Sequence, residues 1–319
     1  MSTSTDLGGR IVVLAGGLSP ERDVSVRSGR RVADALRVAG LPVDVLDADA
    51  GLLASLAADR PACVVPLLHG APGEDGAVRG VLDALGLPYV GSTPEACRSS
   101  FDKPVASARV RAAGIAGPAQ FVLAATTFRE LGAAAVLEAV VSSLGLPLMV
   151  KPTRGGSSLG ASVVRSASDL PGAMMAAFAY GETALIERFV TGTEVAVSVI
   201  DDGSGPRALP VVEIVPDGGF YDYGARYTAG ATEFFVPARL PEHVLAACAE
   251  AATTVHTTLG LRHWSRVDLI VDADGTPWFL EVNVAPGMTE TSTFPQAVAA
   301  AGLDLGDLVA GIVKQVVAG

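Results

Sequence analysis

Residues 266–272 and 277–283 are two apolar runs rich in β-branched and aromatic side chains, and Asp274-Gly275 stands between them. An Asp-Gly pair flanked by such runs favours a tight antiparallel turn. A two-residue loop there sets Ala273 against Thr276, and counting back sets Asp268 against Glu281 and Arg266 against Asn283. Strand side chains alternate with period two, so these four share one face. Three hard oxygen donors, Asp268, Glu281 and Asn283, suit Mg²⁺, which takes one or two carboxylates and fills its shell with substrate phosphates. Arg266 beside them can grip an anion. By itself the same face reads equally well as a solvated row of cross-strand charge pairs.

The chain has 319 residues, half of them hydrophobic, enough for two or three cored domains. The net charge of −11 argues against a nucleic-acid partner, which calls for a basic face. No apolar run reaches membrane-spanning length, and the first ten residues lack the basic start and apolar core of a secretory signal. Cys63, Cys97 and Cys248 are far apart and outside any metal-ligand spacing, as expected of idle thiols in a reducing cytoplasm. Of 23 basic residues only Lys103, Lys151 and Lys314 are lysine. A lysine kept in so arginine-rich a chain suggests a compact point charge on a slim stem, as a phosphate site uses.

Strand and helix alternate over the first ninety residues: strands at 10–16, 42–47, 62–68 and 87–91, and helices at 20–39, 51–59 and 75–85. That order implies a parallel sheet covered on both faces. Ser19 reads as an N-cap with Pro20 following it. Gly16-Gly17 lacks the dinucleotide G-x-G-x-x-G spacing, so it supports a nicotinamide-binding reading only weakly. After a polar stretch at 92–98 come a helix at 101–113, a strand at 119–123, a helix at 128–144 and a strand at 146–151. This last strand runs into Lys151-Pro152-Thr153-Arg154-Gly155-Gly156-Ser157-Ser158-Leu159-Gly160. A glycine-serine loop between strands can wrap phosphates with its N–H groups. It is not a Walker loop, and without Lys151 it would read as a plain flexible hairpin. Strand 184–190 carries Glu187, and Glu194 follows; 216–235 is a long glycine- and tyrosine-rich loop, a candidate lid. Helices at 241–259 and 296–317 complete the pattern.

Seven segments, in order, resemble the motifs of the ATP-grasp ligases and, within them, of the D-alanine:D-alanine ligase family. They are Gly16-Gly17-x-Ser19-x-Glu21-Arg22; Leu68-His69-Gly70 with Gly73-Glu74-Asp75-Gly76; Asp102-Lys103; Lys151-Pro152 with Gly156-Ser157-Ser158; Phe220-Tyr221-Asp222-Tyr223; Arg266-x-Asp268; and Glu281-x-Asn283-x-x-Pro286-Gly287-Met288-Thr289. The resemblance covers about residues 10–309. It implies an α/β (α+β) ATP-grasp fold in three domains: a Rossmann-like parallel α/β domain at 1–98, a central domain at 99–193 and a C-terminal domain at 194–319. It further implies a cytoplasmic homodimer that uses ATP with two Mg²⁺ ions, Mn²⁺ being able to substitute, and joins two D-alanines for peptidoglycan precursors.

Residue roles follow from the same resemblance. Lys103 and Lys151 contact phosphates, as does Arg226, which stands where the family usually has lysine. Glu187, with the backbone at Phe189 and Val190, reads adenine, Glu194 holds ribose, and Phe220 and Leu280 also belong to the nucleotide site. Asp268, Glu281 and Asn283 hold metal. Glu21 takes the first ammonium in a hydrogen-bonded set with Ser157 and Tyr227. Arg266 and the Gly287 N–H stabilise the oxyanion, Ser292 binds the second carboxylate, and His69 has a secondary substrate-side role. Thr293 replaces the family's usual leucine beside the second amino acid, which keeps open a ligase for other small amino acids. Taken alone, Glu21 would be a helix-start acid favoured by the macrodipole, and Tyr227 and His69 would be packing residues.

Overall fold

The structure is a computed structural model and describes residues 8–218, 221, 224, 228 and 230–318. Strands β1 (Ile11–Ala15), β2 (Val43–Asp47) and β3 (Cys63–Pro66) pair in parallel in the order β2-β1-β3. Helices α1 (Arg22–Val38), α2 (Leu52–Ala58) and α3 (Ala77–Ala84) cover it. Every residue of β1 is buried: Ile11 and Val13 pack with Val32 and Leu36, while Val12 and Leu14 pack with Leu52, Leu56 and Leu82. This two-sided burial is why the strands read as unbroken apolar runs.

The expected strand at 87–91 shrinks to one parallel bridge between Val64 and Tyr89, because Pro88 has no N–H to give and Gly91 turns away at φ +110°. The polar stretch at 92–98 is mostly helix: Thr93 Oγ1 accepts from Ala96 N–H at 3.2 Å and Pro94 follows the cap, starting α4 (Pro94–Phe101). Asp102 then caps α5 (Lys103–Ala112), which puts Lys103 in a first turn, where the macrodipole disfavours a cation.

β4 (Gln120–Ala124), β5 (Leu148–Pro152), β6 (Ser162–Val164) and β7 (Thr183–Arg188) form an antiparallel sheet in the order β4-β7-β5-β6. The helix expected at 128–144 is two, α6 (Ala125–Leu131) and α7 (Ala133–Leu144), parted at Gly132 with φ +83°. α8 (Leu170–Phe178) packs on the same sheet.

The third sheet runs β11-β10-β8-β12-β13, with β9 on β8: β8 (Thr193–Ile200), β9 (Arg207–Ala208), β10 (Val212–Pro216), β11 (Thr232–Phe235), β12 (Trp264–Val271) and β13 (Pro277–Asn283). Thus β10 and β11 trim the loop expected at 216–235. α9 (Glu242–Thr258) covers one face, where Val195, Val197, Val267, Leu269 and Phe279 meet Val255 and, from α4 and α5, Cys97 and Val110. The helix expected at 296–317 is also two, α10 (Thr293–Ala300) and α11 (Leu305–Ala318), with Gly302 between them. Both return to the first sheet: Phe294, Val298, Val309 and Val313 share a core with Ile11, Val13 and Leu36. Among the described residues no single helix is long and apolar enough to cross a membrane; α10 and α11 would pass only as a pair, bent by 98°.

The hairpin of β12 and β13 departs from the expected count twice. Asp272 N–H bonds Thr276 O, and the Asp272 side chain accepts from Asp274 N–H at 3.0 Å, Thr276 N–H at 2.9 Å and Trp278 Nε1 at 2.8 Å, so the loop is three residues, with Gly275 at φ +81°. That moves the pairing by one, to Val271↔Pro277 and Leu269↔Phe279. A bulge at Leu280 then restores it, and Asp268 faces Glu281 and Arg266 faces Asn283 as expected.

Candidate active site

The even-numbered residues of β12 form a graded row. Trp264 packs edge to face on Phe294, with ring centroids 6.2 Å apart, and Arg266 and Asp268 come next. The Arg266 guanidinium donates two parallel bonds to Asp268, both 2.7 Å, the strongest geometry an ion pair has. Burial opposes the charge on Arg266, but Asp268 and Glu281 outweigh it and hold the side chain more firmly protonated than usual. Across the hairpin Glu281 lies 3.2 Å from Lys103 Nζ, and Asn283 Oδ1 accepts from Ala285 N–H at 2.7 Å, fixing the turn that follows. In a regular strand Phe279 and Glu281 would share a face. The bulge instead sends Phe279 into the core, while Leu280 and Glu281 both line the cleft described next.

The cleft lies between the second and third sheets. At about 580 Å³ it falls within the range of roughly 300–1,000 Å³ usual for small-molecule sites. Met149, Phe189, Val190, Ile270 and Leu280 supply its apolar lining, and Lys103, Lys151, Glu187, Glu194, Asp268 and Glu281 its charges. Met149 pairs with Glu187 across β5 and β7, and Lys151 Nζ sits 2.7 Å from the Glu187 carboxylate. Burial pulls the Lys151 ammonium down, but Glu187, Glu281 and Asp268 together leave its pKa raised. Lys103 also donates to Gly155 O at 2.6 Å, tying α5 to the glycine-serine loop. In that loop Ser157 and Ser158 are both left-handed, at φ +52° and +57°. Such backbone strain in residues with a Cβ is concentrated at functional sites.

A second cavity adjoins the cleft, and Lys103, Gly155, Gly156, Ile214, Tyr221, Asp268 and Glu281 line both. Glu21 stands at the N-terminal boundary of α1, where the free N–H groups favour an acid. Ser157 Oγ donates to it, and its carboxylate is so close to the backbone that a Cβ on Gly70 would lie 2.8 Å from Oε2. Ser19 does not cap α1 as expected; its hydroxyl donates to His69 O at 2.7 Å and accepts from Glu21 N–H at 3.1 Å, joining loop to helix. His69 is buried, with Nδ1 3.0 Å from Ala285 O and Nε2 3.3 Å from Ser28 Oγ. It therefore links the first sheet's loop to the turn carrying Gly287. A Cβ on Gly287 would meet Ser292 Oγ at 2.7 Å, so glycine there keeps the backbone close to the cavity. Ser292 Oγ accepts from Thr289 N–H at 3.1 Å, and Thr293 opens α10 beside it.

Every described site residue named from the sequence lines one of these two spaces, and Asp268 and Glu281 line both. Phe220, Arg226 and Tyr227 lie outside the described residues. The sequence reading missed Val24, Arg27, Glu74 and Thr291, which also line the second cavity. Val24 and Arg27 follow Glu21 at three-residue spacing, a signal open to a helical-face count. Glu74 is 6% exposed and 3.9 Å from His69 Nδ1; its signal was its place in the Gly73-Glu74-Asp75-Gly76 segment, to which no role had been given.

A nucleotide-sized cleft between two α+β units, with lysines on one wall and paired carboxylates on the other, defines an ATP-grasp fold. Residues 110–314 match the family model described as "D-ala D-ala ligase C-terminus". The chain is 44% identical over 307 residues to a D-alanine–D-alanine ligase of Anaeromyxobacter sp. (strain K), covering 96% of each. It superposes on the D-alanine–D-alanine ligase of Bacillus anthracis with a TM-score of 0.80 at 30% identity, 97% of both chains being covered. The B. anthracis ligase complexed with ATP gives 0.79 at 27%, again over 97% of each. The chain belongs to the D-alanine–D-alanine ligase family.

Proposed function

We propose that this protein is an ATP-dependent, ADP-forming ligase that joins two D-alanines into D-alanyl-D-alanine for peptidoglycan precursors. The observation carrying this reading is the shared wall: Asp268, Glu281 and Lys103 face the nucleotide cleft and the Glu21 cavity alike. A phosphoryl donor and a carboxylate acceptor can therefore meet there. A carboxylate oxygen of the first D-alanine attacks the γ-phosphorus, the bond to ADP breaks, and an acyl phosphate forms. The second amine then attacks the acyl carbon, loses a proton and expels inorganic phosphate. Both steps depend on positioning and charge neutralisation more than on protein nucleophiles.

Glu21 holds the first ammonium, with Ser157 orienting its carboxylate. Lys103 and Lys151 take phosphate charge, Phe189 and Val190 border the base, and Glu194 meets the ribose. Arg266 and the Gly287 N–H face the oxyanion that forms as the amine adds; one such donor is commonly worth about 3 kcal/mol. Asp268, Glu281 and Asn283 would hold Mg²⁺ or Mn²⁺ as part of a shell that phosphate oxygens complete; among the described residues no three His, Cys, Asp or Glu side chains cluster as a metal site. Two carboxylates and an amide oxygen suit an ion completed by phosphate oxygens. When bound, such ions neutralise the triphosphate. In this reading residues 1–98, 99–193 and 194–319 are three domains, and the enzyme works as a cytoplasmic homodimer on small amino acids.

The test is ADP release from purified protein with ATP, Mg²⁺ and a panel of small amino acids. D-Alanine should drive it best and yield the dipeptide with one phosphate per bond. A protein that turns over ATP no faster with D-alanine than without any amino acid is not this enzyme.

A further inference from the structure

A third cavity, of about 490 Å³, lies between the glycine-serine loop and the loops that follow β1 and β3. Glu21, Phe101, Gly155 and Gly156 line it and the second cavity alike. The Glu21 carboxylate stands at the neck between the two: a Cβ on Gly70 would lie 2.8 Å from one of its oxygens, and a Cβ on Gly156 3.2 Å from the other. Glycine at both positions leaves the carboxylate open to each space. Toward solvent the third cavity is bordered by the exposed residues Ala71, Ala77, Arg98 and Tyr180. Arg98 and Arg154 bring positive charge to its wall, Asp75 and Glu21 negative.

On the ligase reading, the first D-alanine reaches Glu21 in a cavity that its co-substrates crowd from two sides. The triphosphate lies toward the wall shared with the cleft, and the second amino acid lies toward Ser292. The third cavity meets the same carboxylate from another direction. Arg154, Gly155, Gly156 and Leu159 line both it and the cleft, so the glycine-serine loop stands between nucleotide and passage. A wall carrying both signs of charge suits a zwitterion, which brings an ammonium and a carboxylate through together. We propose that the third cavity is the route by which the first D-alanine arrives at Glu21 and, when it is not consumed, departs.

The inference rests on the ligase reading, and its test separates the two. Cys63, Cys97 and Cys248 are buried, so Ala71→Cys and Ala77→Cys each put one accessible thiol on the rim of the third cavity, away from the other two spaces. Each is capped with either N-methylmaleimide or a bulky fluorescein maleimide. An obstacle on a route raises one barrier that is crossed in both directions, so entry and exit slow by the same factor and affinity is unchanged. Protein loaded with labelled D-alanine is mixed with ATP, Mg²⁺ and excess unlabelled D-alanine, and label in the N-terminal half of the dipeptide is counted against label released. The bulky adducts should raise this ratio about tenfold over the methyl adducts, with equilibrium binding of D-alanine within about twofold. A ratio that stays level or falls in both variants, or binding that weakens with it, overturns the inference. If the wild type makes dipeptide and the ratio is level, the route alone is wrong; if it makes none, the ligase reading fails and the route with it.

Discussion

The two faces of the third sheet are built from the same strands to opposite ends. On β12, Ser265, Val267, Leu269 and Val271 turn toward α9 and are all buried, while Arg266, Asp268 and Ile270 turn toward the two cavities. The first face contributes stability, at about 25 cal/mol per Å² of apolar surface buried. The second holds charges that are costly to desolvate and that persist because each is paired. A period of two lets one short hairpin do both jobs, provided that register never slips.

Breaking this division should give unequal results on the two faces. The largest effect belongs to Glu281→Gln: kcat should fall at least ~10³-fold while the melting temperature stays within a few degrees. Near-normal turnover would reduce the cleft face to an ordinary charge row. Next comes Phe279→Ala, two residues away on the other face and 1% exposed. It should cost about 3–5 kcal/mol in urea unfolding, with KM values and kcat per folded molecule unchanged. If its activity fell as far as that of Glu281→Gln, the separation of faces would fail.

A third test uses pH. His256, on the core face, bonds Ser265 Oγ through Nδ1 at 2.8 Å and has no partner at Nε2. Burial holds it neutral, pushing its pKa down to about 4, and burial likewise pushes His263 down to about 4. Above pH 6.5 neither ring is protonated in either state, so they cost nothing. Below it the unfolded chain takes protons that the folded one refuses, so stability falls until about pH 4. The loss is at most about 3 kcal/mol per ring. Unfolding midpoints at pH 7 and pH 5 should show the decline, and His256→Gln should flatten it; an unaltered slope would remove His256 from the account.

The smallest effect probes the bulge. Deleting Leu280 leaves Phe279 and Glu281 adjacent, on opposite faces of a regular strand, so the fold and the D-alanine KM should survive. Only a side chain lining the cleft is lost, and on the ligase reading the ATP KM should rise about tenfold, some 1.4 kcal/mol. A deletion that instead abolished folding would show that the irregularity itself holds the hairpin.

Much of the cleft was legible beforehand because it is made of strands. Asp268 and Glu281 could be placed on one face by alternation, although the count reached Asp268↔Glu281 through two errors that cancelled, a loop one residue too short and an unforeseen bulge; Glu187 was legible only as a carboxylate on a strand, its role supplied by the family resemblance. The second cavity was harder, since Glu21, Glu74 and Ser292 come from three separate segments that only tertiary packing joins. Family resemblance supplied Glu21 and Ser292; propensity alone would have made Glu21 a helix-start acid. Gly132 and Gly302 broke helices that periodicity joined, and Thr93-Pro94 began one where composition suggested a linker. In each case a single backbone preference outweighed the surrounding pattern.

The return of α10 and α11 onto β1 and α1 bears on how the molecule is made. Ile11 and Val13 emerge from the ribosome long before their cover from Phe294, Val298, Val309 and Val313 is translated. Until then one side of the first sheet is bare, a sticky surface of the kind chaperones bind. The Glu21 pocket, begun at the start of α1, is finished only when Ser292 and Thr293 have been made and folded back onto it.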